Sequence, residues 1–513
     1  MKFIIKILIY LVLFAIMGFL LVYLFFQEEF NDFRRNYLGD IFPVESEQEN
    51  ISDLTLKIAY ATNYESLDPV LSNPETRART LNIYEALVNT DRNLQIQPAL
   101  ALSWGRLDDT TWEFNLRPNV IFHDGSTFEA DDVISSFNRA LNNPNSDLKD
   151  KLNTIAEIKR VDDLTLRILT KNPDPILVNR IASVLIFPSG KTNFENPIGT
   201  AAYKYSAKKD NEIALERFDD YWGSLPFYKY VLIQSIENRF SRIDAIKNGD
   251  IHILANVPPS FADELEDKNS VNVIAIPSLE VNFLIFNFNS GLLKDKRIRE
   301  ALSFTFDKSA FVEFSNGFAS PSNQFVSNGI YGFNPDIEHK TQDLERAKTT
   351  VKDYDPFKRP SVSVDMVIGA ESIGEFIKLQ LNEIGISSTI NYLPFETLRQ
   401  KIFDRESEMY FLGWRSEMGD ASGFYENVVH SAGKFNGGDF SSKKVDQLID
   451  LSLTNLDPEK RLQQFHEIMK IITDEEIIGI PLFEADVIYG IRVGVHFHPR
   501  LDGYILASEI SKI

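Results

Sequence analysis

The chain has 513 residues, 43% of them hydrophobic, and its 53 Lys+Arg against 74 Asp+Glu give a formal net charge of −21. That length exceeds one core and points to roughly two to four domains, while the acidity excludes nucleic acid as a partner, because a phosphate backbone needs a basic footprint. With no cysteine, disulfides, thiolate metal sites and cysteine nucleophiles are excluded as well.

Residues 4–26 hold one charge, Lys6, in an otherwise almost wholly apolar run. About 23 residues make roughly 34 Å of helix, enough to cross a hydrocarbon core. A cleaved signal peptide is the competing reading. Its apolar region is normally shorter and a small-x-small site should follow, whereas Ala15-Ile16-Met17 is a poor candidate and Gln27-Glu28-Glu29 comes after the span. The expectation is one uncleaved transmembrane helix within 1–27, touching the lipid bilayer through residues 4–26. Lys2 and Lys6 before the span and Arg34 and Arg35 after it leave its orientation open. Residues 28–52, centred on Glu45-Ser46-Glu47-Gln48-Glu49-Asn50, are polar and acidic and read as a flexible linker.

From Leu54 the pattern is globular. Leu54, Leu56, Ile58 and Tyr60 alternate as a strand, Ser66-Leu67-Asp68-Pro69 ends the run with turn chemistry, and Arg77 to Leu87 has helical spacing. Trp112, Phe114 and Leu116 alternate with polar residues as a half-buried strand, and Pro118-Asn119 breaks it. A short apolar run, Val120-Ile121-Phe122, leads into the turn His123-Asp124-Gly125-Ser126, and Thr127 to Asp132 opens a helix with acids near its positive end. Residues 155–158 and 164–168 flank Val161-Asp162-Asp163 as a hairpin. Ser361 to Ile368, Ile373 to Ile384 and Ser388 to Tyr392 read as a β-α-β unit. Val445 to Leu453 and Pro458 to Asp474 are helices, the second with Pro at its first position.

The order of residue types from Trp112 to Val133, WEFNLRPNVIFHDGSTFEADDV, closely resembles the signature of the peptide/nickel solute-binding proteins (family 5), the receptors that feed ABC importers. Further matches follow in order: Ser66-Leu67-Asp68-Pro69, Asn196-Pro197-Ile198-Gly199-Thr200 with Tyr203, Tyr221-Trp222, Asn248-Gly249-Asp250, Phe286-Asn287, Asp295-Lys296-Arg297-Ile298-Arg299-Glu300-Ala301-Leu302, Asp307-Lys308 and Gly413-Trp414. Ala201-Ala202 stands where the family usually has Gly-Pro. Most of these motifs read as structural. His123 is expected to hydrogen-bond in its turn, and Arg297 and Arg299, near Asp295 and Glu300, to dock a helix through ion pairs. His496-x-His498 has no third ligand in view, so no metal is expected.

The resemblance implies a two-lobed α/β periplasmic-binding-protein fold (class II, closing on a hinge) with an extra β-rich domain. Lobe I would comprise 53–88, 190–280 and 487–513, the extra domain II 89–189, and lobe III 281–486. Crossover strands are expected near 276–286 and 480–488, which puts Glu280, Asn282 and Phe483 in the cleft, with the loop bearing Asn73 reaching it from lobe I. The segment Gly413-Trp414-Arg415-Ser416-Glu417-Met418-Gly419-Asp420 matches the family's GWxxDYxDP. There Glu417 takes the place of the Asp that pairs with a peptide's α-ammonium, Asp420 keeps the second acid, and backbone around Gly413 and Arg415 would pair with an extended peptide.

The implied function is a receptor that captures oligo- or dipeptides and delivers them to an ABC permease. It would be a monomer without cofactor, on the periplasmic or extracellular side of a bacterial cell membrane. A tethered sensor or scaffold of the same fold, or a receptor for a nickel chelate, haem, sugar or opine, stays open. No GxSxG, HExxH or GxxxxGK[ST] motif occurs, so no enzyme is expected.

Overall fold

The structure, a computed structural model, describes residues 54–267, 269–354 and 359–513. The expected membrane span, 4–26, and the linker after it lie outside the described residues. Among the described residues no helix is long and apolar enough to cross a membrane.

Two long antiparallel strands, Val271–Phe286 and Gly479–Arg492, organise the body. Both run through an 11-stranded mixed sheet and belong to two half-sheets at once. At one end, Gly490 and Ile491 pair with Ile253–Leu254, which leads to the parallel strands Thr55–Tyr60 and Tyr230–Ser235 and then antiparallel to Glu212–Arg217 and Tyr203–Lys209. At the other end, Glu280 to Phe286 pair with Met409–Arg415, which leads to the parallel strands Ser361–Val367 and Ser387–Leu393. Between the ends the register slips from Pro277 to Val281, and Leu279 takes φ 58°. A non-glycine residue in the left-handed region inside a bulge is a locally strained pivot.

The expected β-α-β unit is present as Ser361–Val367, Glu371–Glu383 and Ser387–Leu393. The strand and hairpin expected between 112 and 168 form a separate four-stranded antiparallel sheet in the order Ala101–Arg106, Thr111–Leu116, Thr165–Thr170, Ile155–Asp162. Helix Ala130–Asn142 belongs to the same core, where Phe114, Phe122, Phe128, Phe137 and Ile168 are buried together. Its start is fixed by Asp132, whose carboxylate accepts the Glu129 N–H at 2.8 Å and the Ser189 N–H at 2.7 Å. The helix expected over 77–87 is instead Pro74–Thr80. Asn73 Oδ1 caps it through the Thr76 N–H at 2.9 Å and Pro74 supplies the preset φ of the first turn, so the helix begins three residues early.

The motifs dock segments onto one another. Asp68 grips Arg139 with both oxygens, at 2.5 and 2.6 Å. The His123 N–H donates to Gly199 O at 3.0 Å, the Gly199 N–H donates to His123 Nδ1 at 3.2 Å, and Nε2 stands 2.9 Å from Ala201 O. With Nδ1 accepting, Nε2 carries the proton and donates; burial pushes this imidazole down to about 4. Gly199 is obligatory, because a Cβ there would lie 2.1 Å from Ile83 O. Arg297 pairs with Asp295 at 2.6 Å. Arg299, however, holds its helix mainly by donating to the carbonyls of Glu476, Leu293 and Lys294, and Glu300 pairs with Arg346.

Candidate functional site

Beside the Leu279 bulge lies a cavity of about 160 Å³ whose walls come from distant stretches of chain, among them Arg77, Lys151, Asn179, Arg415, Glu417 and Tyr504. Arg77 is delivered by the helix that Asn73 caps. Arg415 ends strand Met409–Arg415 opposite Glu280. Glu417 sits in a turn closed by the Gly419 N–H on Ser416 O at 2.9 Å, with Gly419 at φ 69°. Arg500, Asp502 and Tyr504 come from the C-terminal segment, where Asp502 accepts the Tyr504 N–H at 3.0 Å.

The charges of this wall are mostly spent on one another. Lys151 Nζ pairs with Glu417 at 3.1 Å. Burial opposes ionisation of Glu417, but Lys151, with Arg77 and Arg415 beyond it, outweighs burial and holds the carboxyl below its usual range. Arg180 pairs with Asp174 at 3.3 Å, and Arg500 with Asp502 at 2.7 Å and Glu509 at 2.8 Å. Glu85 receives the Tyr221 hydroxyl at 3.0 Å and Trp222 Nε1 at 2.9 Å; burial dominates these donors and pushes its pKa up to about 7. Among the described residues the Arg77 side chain donates only to the carbonyls of Ser183 and Ala182, at 2.9 and 3.0 Å. The Arg415 side chain makes no hydrogen bond or ion pair among the described residues, and its Nε is buried without a partner.

Three contacts tie residues 150–179 to residues 417–434: Lys151 to Glu417, Lys434 to Asp150 at 2.7 Å, and Asn179 Nδ2 to Met418 O at 3.0 Å. The last divides the cavity from a wider groove of about 1020 Å³ on the other side of Met418, lined by Trp112, Tyr331 and Arg461 among others.

The residues expected in the cleft separate into two groups. Arg415 and Glu417 line the cavity. Asp420 lies on the wider groove, but its carboxylate is 5% exposed and bound by Arg461 at 2.6 and 2.9 Å. Asn73 is spent as a helix cap. Trp414 turns to the opposite strand face, edge to face with Phe424 and Phe435, and Phe483 is a core residue stacked on Phe311. Glu280, Asn282 and Gly413 share the strand face of Arg415, and a Cβ on Gly413 would meet Glu280 Oε1 at 2.4 Å and Asn282 Oδ1 at 3.1 Å. Sequence reasoning missed Arg77, Glu85, Lys151 and Tyr504. The one available signal was the Asn73-Pro74 helix start, which puts Arg77 one turn further along the same helix. His496 and His498 stack edge to face at 4.5 Å, and no group of three or more metal-ligating side chains occurs among the described residues.

The family model described as bacterial extracellular solute-binding proteins, family 5 (middle region), matches residues 95–436. The dipeptide-binding protein of Escherichia coli (strain K12) is 23% identical over 443 residues, 78% of this chain and 83% of its own. The glutathione-binding protein GsiB of Salmonella paratyphi A is 24% identical over 445 residues, 82% of this chain and 86% of its own. Among solved structures, the ABC transporter substrate-binding protein CtaP of Listeria monocytogenes aligns with a TM-score of 0.81 at 23% identity, covering 89% of this chain and 99% of that one. The mixed α/β fold described above is the fold of these substrate-binding proteins.

Proposed function

From a chain that belongs to the bacterial extracellular solute-binding proteins, family 5, we propose a receptor that captures short peptides in the cavity beside Arg415 and passes them to an ABC importer. The observation that carries this reading is the open edge of strand Met409–Arg415. Its parallel neighbour pairs only Met409 and Tyr410, so from Phe411 to Arg415 the crossover strand is its sole ladder partner among the described residues. An extended peptide added there gains main-chain hydrogen bonds without side-chain specificity. Two relatives carry names for dipeptide and glutathione binding, which fits a peptide-like cargo. The role is capture and release, without turnover.

In this reading lobe I is 53–88, 190–280 and 487–513, domain II is 89–189, and lobe III is 281–486. The register slip at Pro277 to Val281 and the strained Leu279 stand where those lobes would hinge. The three contacts between residues 150–179 and residues 417–434 would belong to the closed form. Residues 4–26 would anchor a single-pass protein with its body outside the cytoplasm, and a linker of about 20 residues would let the body tilt over roughly 25 Å onto a permease. Fractionation tests the anchor: a soluble mature protein starting after residue 17 removes it. For the cargo, mass spectrometry of what co-purifies with the protein, then calorimetry with a dipeptide-to-pentapeptide series, is decisive. A protein that releases no peptide and binds none of the series ends the peptide reading.

A further inference from the structure

We propose that the cavity is a carboxylate receptor: Arg415, supported by Arg77, takes an anionic group of the ligand, while Glu417 is satisfied internally by Lys151. This deepens the peptide reading and rests on it. The argument is an account of charges. Of the five cations on the wall, Lys151, Arg180 and Arg500 each hold a carboxylate of the protein within 3.3 Å. Among the described residues the Arg77 side chain holds only two carbonyl oxygens, and the Arg415 side chain holds nothing. The remaining acid of the wall, Glu85, is engaged by Tyr221 and Trp222, and Glu280, opposite Arg415 on the crossover strand, lies outside the lining and makes no ion pair with it.

Both unmatched guanidiniums face the same space. Arg415 and Arg77 both act on the charge of Glu417 and on the hydroxyl of Tyr504. Arg415 Nη1 lies beside the C-terminal segment, 3.6 Å from where a side chain on Gly503 would begin. A buried Nε without a partner needs an acceptor, and Arg415, unlike Arg180 whose Nε is likewise without a hydrogen bond, has no ion pair among the described residues. Its planar fork matches a carboxylate bidentately, and it stays charged at any physiological pH. The α-ammonium pocket that Glu417 would form is meanwhile filled from the opposite wall, because Lys151 Nζ stands on its carboxylate as a ligand ammonium would. The anion is either a peptide's C-terminal carboxylate or an acidic side chain; the chemistry at Arg415 is the same.

Native mass spectrometry of the full-length protein in mild detergent, with four probes, tests this. The probes are a tripeptide pool free of Asp and Glu with free C-termini, the same pool amidated, an amidated pool with one Glu per peptide, and succinate. The expected result is retention of the free-acid and Glu-bearing pools with about 30-fold weaker retention of the amidated acid-free pool, the scale of losing a charge-assisted hydrogen bond. R415Q should abolish that preference, and R415K should restore part of it, retaining charge without the fork. Equal retention of the amidated and free-acid pools overturns the carboxylate assignment and leaves the peptide receptor standing. A free-acid preference that persists in R415Q, with an unchanged melting curve, overturns the role of Arg415. Succinate held through Arg415 with no peptide pool retained supports the anion site and overturns the peptide reading, and retention of none of the four overturns both.

Discussion

Replacing Asp420 by Asn separates a structural from a ligand-binding role at the position where the family motif keeps an acid. Asp420 and Arg461 are 5% and 4% exposed, joined by hydrogen bonds of 2.6 and 2.9 Å. Asp420 also accepts the Ser422 N–H at 2.9 Å. Once the carboxylate is neutral, Arg461 remains buried with one arm on Ser452 O at 3.0 Å and the rings of Phe465 and Tyr331 at 4.5 and 5.2 Å from its carbon. Attraction between unit charges about 4 Å apart is about 4 kcal/mol at an effective dielectric near 20, and removing one partner of a buried pair typically costs about 3–5 kcal/mol. Asp420→Asn should therefore lower the urea unfolding free energy by about 3–5 kcal/mol while peptide affinity of the folded variant stays within about threefold. Removing both charges, as Asp420→Leu with Arg461→Met, should recover more than half of that loss, because no orphan charge is left. A loss below about 1 kcal/mol accompanied by a tenfold or greater fall in affinity would refute the reasoning and return Asp420 to the ligand.

Three further outcomes follow from single contacts. Glu85 is 5% exposed and its pKa is raised from 4.5 to about 7, so the folded state binds its proton more tightly than the unfolded state. Stability should fall as pH rises from about 4.5 through 7, by on the order of 3 kcal/mol, and Glu85→Gln should flatten that slope; parallel stability–pH profiles would show the carboxyl to be ionised throughout. Gly199→Ala drives a Cβ to within 2.1 Å of Ile83 O and 2.9 Å of Tyr84 Cα. Backbone on both sides must then move, and a drop of several degrees in melting temperature is expected; no change would show the interlocking of 123 with 199 to be slack. Lys151→Met leaves Glu417 without its 3.1 Å partner. By calorimetry, the variant should gain affinity for a free-amine peptide over its N-acetyl counterpart, whereas an equal change for both would mean that Lys151 acts only as a clasp.

What the residue pattern disclosed and what it hid divide along the range of the interactions. Elements set by local chemistry were legible. The alternation at Trp112, Phe114 and Leu116 is strand Thr111–Leu116, and Asp457-Pro458 opens helix Pro458–Lys470 with two N–H groups on the Asp457 carboxylate. The crossover strands were implied by the family resemblance, and both run longer than expected, Val271–Phe286 and Gly479–Arg492, because Val271 to Pro277 pair with Asp486 to Arg492 as well. The helix at 74 departs from the periodicity over 77–87 because the Asn73-Pro74 cap, a stronger local signal, sets its start.

The site was less legible, because motif matching finds residues that hold the scaffold. Asp68, His123, Gly199 and Asp420 match motifs, and each is consumed by another segment of the same chain. A residue fully satisfied by the protein has nothing left to offer a ligand. Arg415 stands in the matched segment for its backbone and Arg77 one turn past the Asn73-Pro74 start, but that their guanidiniums have capacity to spare follows from no local pattern. Their availability is a property of what the other cations around them already hold, across separations such as the 266 residues between Lys151 and Glu417. For a receptor of this fold, the ligand's chemistry is therefore best read from the charges that folding leaves uncompensated, and on this cavity wall those are the guanidiniums of Arg415 and Arg77, although the chain as a whole carries −21.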